Sequence, residues 1–146
     1  MKRAQCKVMI WGAIGLDYRS DLHFVTQSVT SKYYVDNVLP LIEAGLKKIP
    51  KGVLMHDNAR PHSAAATKTA RAKADIKALD WPPYSPHLNP IEHLCTVAEL
   101  GPDTLEDLKA AAIECWKSFT DEEINAYVLS FRKRLKRTIA VGGKPW

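Results

Sequence analysis

The chain has 146 residues, of which 46% are hydrophobic and 25% are charged; this predicts one globular domain and excludes a disordered chain. No apolar run is long enough for a membrane-spanning helix, and the three cysteines (Cys6, Cys95 and Cys115) have no Cys-x-x-Cys spacing, which predicts reduced thiols in an intracellular protein. The formal net charge is +5, and its distribution along the chain is more informative than its size.

The predicted elements begin with a β-hairpin. Residues 7–15 and 22–26 form two strands, joined by a polar turn that starts at a glycine. Two basic residues before the first apolar segment give it some likeness to a signal peptide. However, no small-residue cleavage site follows, and acidic residues come directly after it. We therefore assign this segment to a strand.

A long amphipathic helix is predicted next. Thr30 or Ser31 supplies its N-cap, and its end is expected near Lys48. Apolar side chains repeat along it at helical spacing, which is typical of a face packed on a core. These side chains belong to Tyr34, Val35, Val38, Leu41, Ile42 and Leu46.

A buried strand that ends in polar residues follows the helix. Residues 53–55 form a short apolar run, as in a strand covered on both faces, and His56, Asp57 and Asn58 come directly after it. In open α/β sheets ligands bind beyond the carboxyl ends of the strands, so Asp57 is well placed for a functional role. A helix over about residues 62–73 and a short strand over about residues 76–79 are predicted next.

A stiff loop and a helix start follow Trp81. Four prolines, at positions 82, 83, 86 and 90, exclude both a helix and a central strand between them. Asn89 is then a good N-cap, with Pro90 at the first helical position and Glu92 at the third. This helix is expected to run to about residue 100.

Each of the two acids in this stretch also has an ordinary structural interpretation. An Asp-Asn pair after a strand often forms a turn, and a glutamate at the third helical position often bonds back to the cap residue. The functional alternative is that Asp57 and Glu92, with 34 residues between them, hold a divalent cation. Magnesium is usually bound by one or two carboxylates together with substrate phosphates. The histidines at positions 56, 62, 87 and 93 fit no common zinc spacing.

The C-terminal part of the chain predicts two capped helices, one starting at Thr104 with Asp107 and one at Thr120 with Glu123. The second has an apolar stripe that should leave its basic side chains outside. From residue 131 onward there are six basic residues and no acid. Such a cluster either contacts a phosphate backbone or is a solvated helix face favoured by the helix dipole. The candidate DNA-binding residues are Arg132, Lys133, Arg134, Lys136 and Arg137.

Together these motifs resemble a known family. HDNARPH at residues 56–62 and PPYSPHLNPIEHL at residues 82–94 are similar to the catalytic core of the mariner-type superfamily of DNA transposases. VMIWGAIG near the start and the segment from residue 105 onward are similar to it as well. The resemblance implies an α/β, ribonuclease H-like fold, a mixed sheet with flanking helices. It also implies one catalytic domain over residues 1–146, with the sheet core over about residues 1–100 and C-terminal helices with a loose tail after it.

The resemblance also implies the chemistry. The family uses a triad of Asp, Asp and either Glu or Asp; Asp57 matches its second aspartate and Glu92 its final acid. Both would hold Mg²⁺ or Mn²⁺ while water cleaves DNA, after which the freed 3′-hydroxyl attacks target DNA. Asn58 and His62 are then expected to orient Asp57. The implied partner is DNA, the full-length protein is expected to be a homodimer, and the location is nuclear in a eukaryote and intracellular otherwise.

The sequence departs from the family at two places. The family's first aspartate lies on a strand upstream of the segment that matches VMIWGAIG, and Cys95 stands where the family usually has Trp. We therefore expect a ribonuclease H-like sheet with its first strand missing, in a truncated or decayed copy that does not transpose DNA by itself. The alternative is a non-catalytic, transposon-derived module that binds nucleic acid or a partner through its basic final helix. A small phosphodiesterase using the same two acids is a third interpretation, for which the sequence supplies no further ligands.

Overall fold

The computed structural model of the chain describes residues 8–25, 27–94 and 104–142. Its strands are β1 (Met9–Trp11), β2 (Ile14–Gly15), β3 (Tyr18–Arg19) and β4 (His23–Val25). Its α-helices are α1 (Ser31–Tyr33), α2 (Leu39–Leu46), α3 (Arg60–Ser63), α4 (Ala65–Lys73), α5 (Leu105–Ser118), α6 (Asp121–Leu129) and α7 (Phe131–Ala140). A π-helical segment (Tyr34–Val38) and two 3-10 turns (Pro86–Leu88 and Pro90–His93) complete the described elements. None of the described helices is long and apolar enough to cross a bilayer.

The predicted hairpin is confirmed in its described residues, and it consists of two short ladders. Strands β1 and β4 pair antiparallel with Met9 opposite Val25, and β2 pairs with β3 across a tight turn. The ladders are separated where the backbone N–H of Ala13 donates to the side-chain hydroxyl of Ser20 at 2.9 Å. Asp17 in the turn has a φ of 53°, and its backbone N–H donates to the Asn125 side chain on α6. The hairpin is thereby attached to the C-terminal helices.

The long helix forms where it is predicted, from Ser31 to Leu46, with Thr30 as its N-cap. The Thr30 hydroxyl accepts from the backbone N–H of Tyr33 at 3.1 Å. Its middle is π-helical because Pro40 has no N–H for the carbonyl four residues earlier, so the bonding shifts by one residue there. The helix carries the main apolar cluster, formed by Tyr33, Tyr34, Val38, Leu39 and Ile42.

The two predicted strands after this helix are reduced to a single parallel bridge between Leu54 and Ala78. The N–H of Leu54 donates to the carbonyl of Lys77, and the N–H of Leu79 donates to the carbonyl of Leu54. The expectation of a strand buried on both faces is wrong for Val53, which is 45% exposed. Leu54 packs against the apolar cluster of the long helix, so the parallel pairing still fixes where this segment ends.

The helix predicted over residues 62–73 starts two residues earlier and breaks at Ala64. The break has a physical cause in Thr67, which is fully buried and whose hydroxyl donates to the carbonyl of Pro61. That carbonyl is thereby withdrawn from the helical ladder, and Ala64 adopts an extended ψ of 145° between α3 and α4. Ala70, on α4, packs against the apolar cluster of the long helix.

The helix predicted to start at Asn89 is a 3-10 turn in its described part. Asn89 caps it as expected, because its side-chain oxygen accepts from the N–H of Ile91 at 3.3 Å. Leu94 is extended, with φ −95° and ψ 132°, so a continuous helix from Pro90 is wrong at this residue. The remainder of the predicted helix, residues 95–100, lies outside the described residues.

Both predicted caps of the C-terminal helices are confirmed. Thr104 accepts from the N–H of Asp107, and Thr120 with Glu123 forms a reciprocal capping box. The helix predicted after Thr120 is divided at Ser130 into α6 and α7. The Ser130 hydroxyl donates to the carbonyl of Tyr127 at 2.6 Å, and this bond competes with the helical ladder.

The C-terminal helices pack against the hairpin and against the two 3-10 turns. Helix α6 contacts β2 and the turn Pro90–His93, while α7 contacts the turn Pro86–Leu88. Cys115 on α5 is disulfide-bonded, so the prediction of reduced thiols is wrong for this residue. Cys6 and Cys95 lie outside the described residues.

Candidate metal centre and nucleic-acid interface

Asp57 and Glu92 line the same cavity, which has a volume of about 600 Å³. One side of the cavity is formed by the hairpin and α2, and another by residues 52–57. The turn around Glu92 and the side chains of Val128 and Phe131 complete its lining. Two acids that are separated by 34 residues in the chain thus line one cavity.

Asp57 is held in place by two hydrogen bonds to one of its carboxylate oxygens. Oδ1 accepts from the backbone N–H of Ala59 at 3.0 Å and from Nδ1 of His62 at 2.6 Å. The bond to Ala59 is the turn that an Asp-Asn pair predicts, so the structural interpretation of Asp57 is also realised. The side chain remains 65% exposed, and no described residue bonds to its second oxygen. Asp57 can therefore form this turn and still offer an oxygen to a ligand.

The ring of His62 packs against two other aromatic rings. Its centroid lies 4.6 Å from that of Tyr34 and 4.8 Å from that of His56. Burial raises the pKa of Tyr34 to about 12, so its hydroxyl stays neutral. The predicted role of His62 in orienting Asp57 agrees with this geometry, since the ring is restrained and its Nδ1 points at the carboxylate.

His56 contacts the ring of His62 and is itself hydrogen-bonded to Arg71. The sequence pattern did not indicate that His56 and Arg71 pair. Arg71 donates from Nη1 to Nε2 of His56 at 2.8 Å. Burial, with smaller contributions from the neighbouring His62 and Arg71, lowers the pKa of His56 to about 4. His56 is therefore neutral at pH 7 and accepts from Arg71. The sequence shows only that both residues are polar, because 14 positions separate them and no local motif joins them.

Asn58 does not orient Asp57 as predicted. Its side-chain amide donates instead to the backbone carbonyl of Trp81 at 2.6 Å. Trp81 is 6% exposed and stacks with Phe131, with ring centroids 6.3 Å apart. Asn58 thus connects the segment that carries Asp57 to the proline-rich loop that precedes Glu92.

Glu92 does not have the capping role that its position allowed. The N–H of the cap residue, Asn89, donates to the carbonyl of Pro86 at 2.8 Å, so the Glu92 side chain is not bonded back to it. The side chain of Glu92 is exposed and lines the cavity. Buried Pro90 and Leu94 flank this short turn and hold its position.

The donor set fits a magnesium ion held by few protein ligands. Among the described residues no three His, Cys, Asp or Glu side chains form a metal-binding group. Magnesium commonly keeps several waters and takes one or two carboxylates together with substrate phosphates. The free oxygen of Asp57 and the exposed carboxylate of Glu92 are of this type, whereas a zinc site needs three or four converging protein ligands.

The basic residues of α7 divide into two sets. Arg132, Lys133, Lys136 and Arg137 are exposed, as predicted. Arg134 is only 7% exposed, and its guanidinium donates to the carbonyl of Tyr127 at 3.2 Å. Burial lowers the pKa of Arg134. The prediction that Arg134 binds DNA is contradicted, because Arg134 and Thr138, one helical turn apart, both point into the protein.

The chain is similar to known proteins over most of its length. A family model described as DDE superfamily endonuclease matches residues 2–99. The transposable element Tc3 transposase of Caenorhabditis elegans is 31% identical over 148 residues, which cover 94% of this chain and 45% of that protein. The chain thus spans a little under half the length of this relative.

Solved structures show the same fold. The Mos1 transposase catalytic domain, solved with raltegravir and Mg, superposes with a TM-score of 0.80 at 21% identity, over 95% of this chain and 77% of that one. The Mos1 transposase paired-end complex with the left transposon end superposes with a TM-score of 0.79 at 22% identity, over 94% of this chain and 44% of that one. These likenesses confirm the ribonuclease H-like α/β fold predicted from the sequence.

Proposed function

The chain belongs to the DDE superfamily of endonucleases as a transposase domain of the mariner type, and we propose that Asp57 and Glu92 are two of the carboxylates that hold its catalytic cations. The proposed reaction is metal-dependent cleavage of DNA and transfer of the freed strand end during cut-and-paste transposition. The observation that carries this proposal is that the two acids line one cavity although they lie far apart in the sequence.

Each side chain of the site has a distinct proposed role. Asp57 would offer its second oxygen to a cation while His62 and the N–H of Ala59 hold the first. Glu92 would complete the ligand set from the facing turn. His56, kept neutral by burial, would restrain the ring of His62 without adding a positive charge beside the cation.

The cation would be Mg²⁺ or Mn²⁺, and when bound it would activate the attacking oxygen and stabilise the charge on the leaving oxygen. Support comes from the chemistry of the donors, which are hard carboxylate oxygens. It also comes from the relatives, since the Mos1 catalytic domain has been solved with Mg.

DNA is the proposed partner, bound through the exposed basic face of α7. We define this face by Arg132, Lys133 and Lys136, which are exposed and have no acidic residue on their helix. Such a cluster favours a phosphate backbone. The same face supports the second candidate function, a transposon-derived module that binds nucleic acid without cutting it. For both candidates we propose that the protein meets DNA in the nucleus of a eukaryotic cell, or inside the cell otherwise, and that it acts as a homodimer.

Cation binding tests the proposal independently of cleavage. Mn²⁺ titrated into the chain should give an electron paramagnetic resonance signal of bound metal, and Asp57→Asn or Glu92→Gln should each remove it. Asp80→Asn is the matched control, because Asp80 is exposed and does not line the cavity. If both site variants bind Mn²⁺ as tightly as the wild type, the metal-site proposal is wrong.

Nicking of supercoiled plasmid in the presence of Mn²⁺ separates the two candidate functions. It is measured on this chain and on a fusion that adds a relative's strand with the first aspartate of the triad, since Asp57 and Glu92 match only two of the three acids. Cleavage that is lost in Asp57→Asn supports the enzyme. Plasmid binding that is unchanged in Asp57→Asn, without any cleavage, supports the non-catalytic module.

A further inference from the structure

Tyr84 is an aromatic residue presented to solvent on a strained backbone. Its side chain is 96% exposed, far more than that of any other large hydrophobic residue described. Its φ is 54°, in the left-handed region that bulky side chains rarely adopt. Residues held in such conformations cluster at functional sites, where the surrounding structure enforces them. A tyrosine displayed in this way is unfavourable for stability and solubility, so a role in binding is the more economical explanation.

The loop around Tyr84 is rigid because it is anchored on both sides. Before it, Trp81 is buried against Phe131, and its carbonyl accepts from Asn58. After it, Ser85 is 8% exposed, and its hydroxyl donates to the carbonyl of Pro83 at 3.1 Å. Prolines at positions 82, 83 and 86 restrict φ along the same segment. The ring is therefore presented without the entropy loss that a flexible loop would suffer on binding.

The anchors of this loop connect it to both parts of the proposed site. Asn58, which holds Trp81, directly follows Asp57. On its other side the loop continues into the turn Pro86–Leu88, which contacts α7 and precedes the turn carrying Glu92. Tyr84 thus projects from the segment that joins the acidic cavity to the basic face of α7.

We propose that Tyr84 is a stacking platform for an unpaired base of the nucleic acid at this site. The proposal rests on the proposed function, because it takes DNA as the substrate, and it adds a preference for bases that are not paired in a duplex. Aromatic rings stack on the faces of exposed bases without regard to sequence, whereas the faces of bases inside a duplex are already stacked. The exposed basic side chains of α7, which contacts the turn Pro86–Leu88, would hold the phosphates of the same strand.

Binding to three fluorescent DNAs tests this inference with the full chain: a duplex, the same duplex carrying one extruded 2-aminopurine, and a single strand. Wild type should bind the two DNAs with unpaired bases more tightly than the duplex. Tyr84→Ala should bind those two about tenfold more weakly than wild type and bind the duplex unchanged. Tyr84→Phe keeps the ring and should behave as wild type. The 2-aminopurine fluorescence should be quenched by wild type and Tyr84→Phe and not by Tyr84→Ala, since quenching reports stacking directly.

Two controls separate this inference from the proposed function. Leu129→Ala removes another strongly exposed apolar side chain, on α6, and should change no affinity. Arg132→Ala should weaken binding to all three DNAs equally, since phosphates are common to them. If wild type binds no DNA, both the proposed function and the stacking role are overturned. If wild type binds DNA and Tyr84→Ala binds the extruded-base duplex equally well, only the stacking role is overturned.

Discussion

Nδ1 of His62 lies 2.6 Å from Oδ1 of Asp57, and the ring that carries it packs against Tyr34 and His56. A carboxylate held this way keeps one oxygen fixed while the other remains available. Residues that orient a metal ligand typically contribute about tenfold to 100-fold to metal affinity. The hydrogen bond from His62 to Asp57 therefore predicts that His62 affects cation affinity, although His62 is not proposed to touch the cation.

His62→Ala should weaken Mn²⁺ binding about tenfold to 100-fold, because the Asp57 carboxylate loses one of the two bonds that orient it. Electron paramagnetic resonance of free Mn²⁺ measures the affinity. Ser63→Ala is the matched control, since Ser63 is the next residue and its hydroxyl bonds only within its own turn. Equal Mn²⁺ affinities for His62→Ala and wild type, with both variants folded by circular dichroism, would contradict the role of His62.

The free energy of unfolding should fall as the pH drops from about 6.5 to about 4, because of His56. Burial lowers the pKa of His56 from 6.5 to about 4 in the folded protein, so the unfolded chain binds more protons between these pH values. The contribution of neutral His56 to the free energy of unfolding is therefore fully present above pH 6.5 and is lost as the pH falls to about 4. The difference corresponds to about 3 kcal/mol. Urea denaturation at several pH values measures it.

His56→Gln is the control for the pH effect. Its amide oxygen can still accept from Arg71, but the side chain does not titrate. The loss of stability between pH 6.5 and 4 should be smaller in this variant than in wild type. Identical pH profiles for the two proteins would show that His56 does not titrate as described.

Arg134 and Arg132 should behave in opposite ways when each is replaced by alanine. Arg134 is buried and donates to the Tyr127 carbonyl, so its removal should cost about 1–3 kcal/mol of stability. It should leave unchanged the slope of the logarithm of DNA affinity against the logarithm of salt concentration. Arg132 is exposed, so its removal should leave thermal stability unchanged and reduce that slope by about 1. A reduced salt slope in Arg134→Ala would show that its guanidinium reaches DNA after all.

Trp116→Ala should destabilise the protein by about 3–5 kcal/mol, because Trp116 joins α5 to the hairpin. Its side chain is 8% exposed, and its indole N–H donates to the carbonyl of Ser20 at 2.7 Å. The side chain of Arg19, on β3 of the hairpin, also joins these two elements, because it donates to the carbonyls of Trp116 and Phe119. Ile113→Ala on the same helix, where the side chain is 38% exposed, should cost much less. Urea denaturation compares them, and similar losses in both variants would contradict this role of Trp116.

Features that depend on neighbours in the chain were determined by the sequence. Thr30, Thr104 and Thr120 cap their helices as predicted, since the donor and the acceptor of each bond lie three residues apart. The position of Asp57 after a strand indicated a functional role, and the motif resemblance identified Asp57 and Glu92 as a pair of acids in one site. The two strands predicted at residues 53–55 and about 76–79 are present only as the bridge between Leu54 and Ala78.

Features that depend on distant partners were decided by the tertiary structure alone. Arg134 is charged and lies in a basic helix, yet packing of α7 turns it inward to the Tyr127 carbonyl. Asn58 follows Asp57 but bonds to Trp81, and His56 finds its partner in Arg71. A side chain's polarity and position in its element restrict which faces it can occupy. Only the packing of the elements decides which face of a helix is buried and which distant group a side chain on that face contacts. The reason is that the free energy of packing is summed over the whole core and not along the chain.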